Sequence, residues 1–161
     1  MCSNNVIVIT GIAIYYGRTC FLLVNEMILP RGIKIFGDTD YRGKCPLESA
    51  EQATFFNRIR ALYPDSYGLT ATHIKNEGKR THSQISRDKA QGMATGAPDI
   101  IIPGSTTFIC ELKRRDHKKS KISDDQVKYL LTAQQCGAYV CVALGVDAAM
   151  VAFHVWGLHE K

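Results

Sequence analysis

The chain has 161 residues, enough for one domain with a substantial core and too few for two. Hydrophobic residues make up 45% and charged residues 22%, which excludes a disordered, fibrous or low-complexity protein, and no internal repeat is found. The net charge of +5 leans toward a polyanionic partner without requiring one.

No basic region precedes the apolar stretch from Val6 to Tyr16. That stretch contains Thr10 and Gly11 and is far shorter than the ~20 residues that span a bilayer, so neither a signal peptide nor a membrane anchor is expected. Residues 6–36 are β-branched and aromatic runs (VIVI, IAIYY, CFLLV, IKIF) broken by glycine and Asn25-Glu26, the pattern of two to four short strands or a meander. GDTDYRGKCP, 37–46, reads as a polar linker, and Pro46 suits the first position of a helix. The expected division is a β-rich N-terminal extension, 1–45, and a main domain, 46–161.

Phe55, Ile59 and Leu62 recur at helical spacing between Leu47 and Tyr63, and Pro64 ends the pattern. A strand is expected over 69–74 (LTATHI), a polar turn over 75–80, and a helix from Ser83 to Gln91 stopped by Gly92. A β-hairpin follows over 96–116. Ser123 and Gln126 form a capping box that starts another helix, stopped by Gly137. AYVCVAL, 138–144, is the continuous apolar run of a strand covered on both faces, and Asp147 is expected to cap a last helix running toward Trp156. The order implies an α/β domain with a mixed central sheet flanked by helices.

The six cysteines form neither a CxxC pair nor a Cys/His zinc pattern, and most lie among apolar residues, as buried reduced thiols of an intracellular protein do. The Thr10-Gly11 segment superficially matches a dinucleotide loop, but the strand-like CFLLV follows where a helix is needed. His73, His82, His117, His154 and His159 show no metal-ligand spacing and read as surface or packed residues.

The hairpin, GAPDIIIPGSTTFICELKRRD, carries three charges where a buried ribbon stays apolar. Side chains two apart share a face of a strand, so Glu111 and Lys113 point together. A three-residue loop, Gly104-Ser105-Thr106, pairs Pro103 with Thr107 and therefore Asp99 with Glu111; a four-residue loop sends the two carboxylates to opposite faces. Facing carboxylates repel unless a cation lies between them, and a hard divalent metal such as Mg²⁺ would supply it, with Lys113 beside it to orient water and offset charge on a phosphate. The competing reading is a charge stripe on an edge ribbon.

Other features favour the site. Glu48 lies near the centre of the Phe55, Ile59 and Leu62 stripe and Glu51 near its margin, though both also suit a helix N-terminus as dipole-stabilising acids. Gln126 serves either as a cap or as a site residue. Lys113, Arg114, Arg115, Lys118, Lys119 and Lys121 fall within nine residues, with Lys75, Lys79 and Arg80 in the earlier turn, a candidate phosphate track.

In order, ESAEQ, HIKNEGKR, AQGMATGAPDIII, FICELKRR and KISDDQ resemble the virus-type replication-repair nuclease (VRR-NUC) family of the PD-(D/E)xK superfamily, especially small phage-borne members. The resemblance covers roughly residues 47–150. It implies a restriction-endonuclease-like core and a Mg²⁺- or Mn²⁺-dependent DNA endonuclease in the cytoplasm of a bacterial host. Asp99 and Glu111 would bind the metal with the Leu112 carbonyl, Lys113 would position the nucleophilic water, Gln126 would support the site, and Glu48 would be the helix-borne acid. It further implies a homodimer acting on branched DNA such as four-way junctions, with no membrane partner. Lys75-Asn76-Glu77-Gly78 departs from the Pro-Asn-Gly-Gly turn of many relatives, and Ala97 stands where Val is frequent. The competing function is a nucleic-acid-binding module that keeps the fold without turnover, carried by the basic turns.

Overall fold

The computed structural model describes residues 32–74, 81–158 and 160 in full and residues 13–16, 19–24 and 27–30 by their backbone. The described apolar runs near the N-terminus divide between two sheets, while VIVI, 6–9, lies outside the described residues. β1 (Ala13–Tyr16), β2 (Thr19–Val24) and β3 (Met27–Pro30) pair as an antiparallel meander. β4 (Lys34–Phe36), read from sequence as part of the same extension, instead joins the core sheet parallel to β7 (Tyr139–Leu144), with Ile35 opposite Val142. Its apolar side chains account for this, because Ile33 and Ile35 pack with Val142 and Leu144 in one buried cluster.

The core sheet has the order β4-β7-β6-β5, in which β6 (Phe108–Lys113) runs parallel to β7 and antiparallel to β5 (Ile100–Ile102). Every residue of β6 is buried, as expected for a central strand with helices on both faces. On one face, Phe108, Cys110 and Leu112 meet Phe55, Phe56 and Ile59 of α1 (Glu48–Leu62) and Ala149, Phe153 and Trp156 of α5 (Val146–Gly157). Each large side chain buried there stabilises the fold by about 1.5–3 kcal/mol before entropy is subtracted. On the other face, Ile109 and Val140 pack with Leu130 of α4 (Asp124–Gln135). Trp156 also donates its indole N–H to the Thr106 carbonyl at 2.7 Å, fastening the hairpin turn to α5.

Leu62 was expected in the apolar stripe of α1 but is 59% exposed. The core contact passes to Tyr63, whose ring packs edge-on against Tyr67 at 5.7 Å and Phe153 at 5.3 Å. The strand expected over 69–74 is also corrected. Tyr67–Thr70 forms one helical turn, α2, and only Thr72 pairs in strand fashion, opposite Ile101. Tyr67 is drawn into the aromatic cluster with Phe153 and Trp156, and Gly68 lies so close to α1 that a Cβ there would fall 2.6 Å from the Tyr63 carbonyl. Tertiary packing thus overrides the β propensity of the segment.

α3 (His82–Ala90) begins with a capping box between Thr81 and Gln84 and ends beside Gly92. Of the described cysteines, Cys110 and Cys141 are buried, Cys45 is half-buried and Cys136 is exposed. Among the described residues no helix is long and apolar enough to cross a membrane.

Candidate active site

The hairpin turns through Gly104-Ser105-Thr106. Ile100 lies opposite Cys110 and Ile102 opposite Phe108, the register that sets Asp99 across from Glu111. Glu111 and Lys113 therefore occupy the α4 face of β6, and Asp99 enters the same place from the neighbouring strand. Glu111 is fully buried and Lys113 nearly so. The Asp99 carboxylate is fixed by the Leu112 amide, which donates to Oδ2 at 3.0 Å.

Three elements close around this pair. From α4, the Gln126 Oε1 atom accepts the Ser123 amide at 2.9 Å while its Nε2 donates to Glu111 Oε1 at 2.5 Å. Opposite ends of one amide thus hold the helix cap and the buried Glu111 carboxyl group at once. From the start of α1, Glu48 Oε1 lies 3.3 Å from the Lys113 ammonium, which lies 2.7 Å from Glu111 Oε1. From the loop before α4, Ser120 donates to Glu48 Oε2 at 2.8 Å. Glu51, placed by periodicity at the margin of the helix stripe, is the more buried of the two glutamates and serves another element: its Oε2 accepts the Val146 amide at 2.8 Å, at the N-terminus of α5. Asp147, expected to cap α5, is exposed and pairs instead with Arg58 at 2.6 Å, and Gly145 holds the N-cap position.

Gly96 explains how α4 comes so close. Its φ of +73° is in the left-handed region, and a Cβ at this position would sit 2.3 Å from the Asp125 carbonyl group and 2.6 Å from the Gln126 amide. Gly96→Ala should therefore push the first turn of α4 outward and loosen the Gln126 contact with Glu111. Strain and overlap together should cost roughly 2–4 kcal/mol, measured as a lower denaturation midpoint at unchanged m-value.

The site opens into a cleft of about 910 Å³ lined by Glu48, Asp99, Lys113, Gln126, Ser120, His73 and Lys121, among others. His73, read from sequence as a surface or packed residue, stands at its rim with Nδ1 3.0 Å from the Asp99 carbonyl and 2.6 Å from Gln52 Nε2, which itself donates to that carbonyl at 3.2 Å. Sequence reasoning missed Gln52 and Ser120. Gln52 was recoverable, since it follows Glu48 by four residues and shares its helix face; Ser120 belongs to no periodic pattern.

Not all of the basic run faces the cleft. Arg114 donates to the Cys45 carbonyl at 3.0 Å, Lys119 reaches the Gly43 carbonyl and pairs with Asp116 at 2.9 Å, and Arg115 lies over the Tyr41 ring at 4.1 Å. These contacts bind the 37–46 segment, expected as a linker, onto the loop after β6. Arg114, Lys119 and Lys121 line the cleft, and Lys118 is exposed. Lys75, Asn76, Lys79 and Arg80 lie outside the described residues.

Burial, reinforced by Asp99, pushes Glu111 up to about 8 despite the attraction of Lys113. Burial likewise raises Asp99, with Lys113 and the Leu112 amide opposing. Burial alone would depress the Lys113 ammonium, but Glu111, Glu48 and Asp99 together outweigh it and raise Lys113. Such a cluster is strained by its own negative charge, and Glu111 Oε2 is buried with no hydrogen-bond partner. An orphaned carboxylate oxygen beside a second carboxylate suits a hard divalent cation. Among the described residues no three His, Cys, Asp or Glu side chains are grouped as a ready-made metal centre, so such a cation would complete its shell with a backbone carbonyl and water, as Mg²⁺ commonly does.

No protein-family profile matches the sequence, and neither does any curated protein. Among solved structures the chain is similar to a VRR_NUC domain protein, with a TM-score of 0.57 and 18% identity over 72% of this chain and 90% of that one. At that identity the shared property is the fold: a mixed four-stranded sheet flanked by helices.

Proposed function

We propose that this chain, which has the VRR_NUC fold, is a Mg²⁺- or Mn²⁺-dependent DNA endonuclease. The observation that carries this reading is the buried Asp99–Glu111 pair, with an unpartnered Glu111 oxygen and the Lys113 ammonium on the same face, at the floor of an open cleft. Neither a binding module nor an edge ribbon gains from burying two facing carboxylates, whereas a hydrolase of phosphodiesters does.

Asp99, Glu111 and the Leu112 carbonyl would hold the metal, which supplies Lewis acidity toward a phosphate oxygen and toward an attacking water. Gln126 anchors Glu111 from α4, so that the carboxylate keeps its direction when its charge is needed. Lys113 directs the water toward phosphorus and offsets the charge that builds on the phosphate as the P–O bond to the leaving group breaks. Glu48 holds the Lys113 side chain in reach of that position. Arg114, Lys119 and Lys121 at the cleft, with Arg115 and Lys118 on the adjoining loop and Lys75, Asn76, Lys79 and Arg80 earlier in the sequence, contact the DNA backbone. The substrate we assign is branched DNA, of which a four-way junction is one form, cut by a homodimer that presents two sites to two strands.

The deciding assay offers single-stranded, linear duplex, flap and four-way-junction DNA to the purified protein with Mg²⁺, Mn²⁺ or EDTA. Cleavage of the branched substrates in either metal and none in EDTA is the expected result. Salt-sensitive binding that EDTA leaves untouched, with no cleavage of any substrate, would identify a binding module instead.

A further inference from the structure

We propose that Ser120 is a positioning residue for Lys113, acting through Glu48. This rests on the nuclease reading for its effect on cleavage, but not for its geometry. Ser120 lies between the short helical turn His117–Lys119 and the capping box of α4, outside every motif that drew attention to the site. Its hydroxyl is used twice. Oγ accepts the Arg114 amide at 3.2 Å and donates its proton to Glu48 Oε2 at 2.8 Å. A hydroxyl has one proton and two acceptor lone pairs, so both bonds form together, which neither a methyl group nor an ammonium allows.

The consequence is a closed ring of contacts. The backbone immediately after Lys113 and the carboxylate that faces the Lys113 ammonium are tied to the same oxygen atom. Glu48 needs such a tether more than Glu111 does. The Glu111 side chain is wholly buried and held by Gln126, whereas that of Glu48 is 30% exposed and its contact with the ammonium, at 3.3 Å, is the longer one. A partly exposed glutamate gains little from such a pair by itself, because ordering its side chain costs about as much as the screened attraction returns. With Ser120 in place, Glu48 is held on its far oxygen and the ammonium is suspended between two carboxyl groups. Without it, Glu48 turns to solvent and Lys113 falls onto Glu111 alone, away from the position where water would be directed.

The test compares wild type, Ser120→Ala, Ser120→Thr, Glu48→Ala and the Ser120→Ala/Glu48→Ala double variant. Cleavage of supercoiled plasmid and of a synthetic four-way junction is measured with Mg²⁺, and the lysine side-chain ammonium NMR signals are recorded in metal-free protein. Ser120→Ala should lower kcat roughly tenfold to a hundredfold with KM for DNA little changed, and should lose the protected Lys113 ammonium signal. Thr, which keeps the hydroxyl, should restore both. In the Glu48→Ala background the Ser120→Ala change should add nothing, because the path it acts through is already cut. A wild-type rate and an intact ammonium signal in Ser120→Ala would overturn the proposal, as would a loss that persists undiminished in the Glu48→Ala background. If the wild type cuts neither DNA, the nuclease reading fails, and the ammonium signal alone then decides for or against the clasp.

Discussion

Asp99→Asn should leave a folded protein that no longer cuts DNA in Mg²⁺ or Mn²⁺. The asparagine oxygen still accepts the Leu112 amide, the one hydrogen bond that Asp99 makes through its carboxylate to β6, so the hairpin keeps its register. What is lost is the negative charge, and with it the paired-carboxylate character of the site. Single electrostatic contributors in active sites are worth about 10²–10³-fold in rate, and loss of a group proposed both to bind the metal and to align its partner should cost at least that. Lys113→Met should reduce the single-turnover rate by a similar factor for a different reason. It removes the group proposed to direct water while sparing both carboxylates, so metal binding should survive. Single-turnover cleavage together with a metal titration separates the two variants: Asp99→Asn should lose both properties and Lys113→Met only the first. Full metal-supported cleavage by purified Asp99→Asn protein would end the nuclease reading.

The register of the hairpin was legible because strand periodicity is rigid. Once a three-residue turn is assumed, the pairing of Asp99 with Glu111 follows without tertiary information, and the observed register agrees. The Gln126 cap was legible for the same local reason. The ambiguity between Glu48 and Glu51 was not resolvable locally, because the two are only about 60° apart around the helix. Which one meets Lys113 and which one meets Val146 depends on where β6 ends and α5 begins, a tertiary fact. The 37–46 segment looked like a linker since the groups that hold it, the Gly43 and Cys45 carbonyls, leave no mark in a sequence. Likewise β4 resembled its neighbours in composition, and only its pairing with β7 separates it from the meander.

Metal-free protein should become less stable as pH rises from about 5 to 8, and divalent metal should reverse that loss. Glu111 begins near 4.5 in an unfolded chain and is pushed up to about 8 in the native one, with burial the largest cause and Asp99 the second. Between those values the native state holds a proton that the unfolded state has released. Stability therefore falls with increasing pH, by up to about 1.4 kcal/mol per unit for this one group. Asp99 is raised in the same direction, also chiefly by burial, so its contribution has the same sign. Lys113 is raised from 10.5 and stays charged in both states across the window, so it contributes no slope there. Glu111→Gln should flatten the profile and leave the metal-free variant more stable than wild type at pH 8, since Lys113 retains Glu48 as its anion. Mg²⁺ or Mn²⁺ at about a hundred times its dissociation constant should stabilise wild type by roughly 2.7 kcal/mol. Asp99→Asn and Glu111→Gln should not respond. Urea titrations at pH 5, 6.5 and 8, in EDTA and in metal, would read all of these effects. A flat profile in EDTA with an equal response of wild type and Glu111→Gln to metal would mean that the repulsion between the two carboxylates is not what prepares this site for a cation.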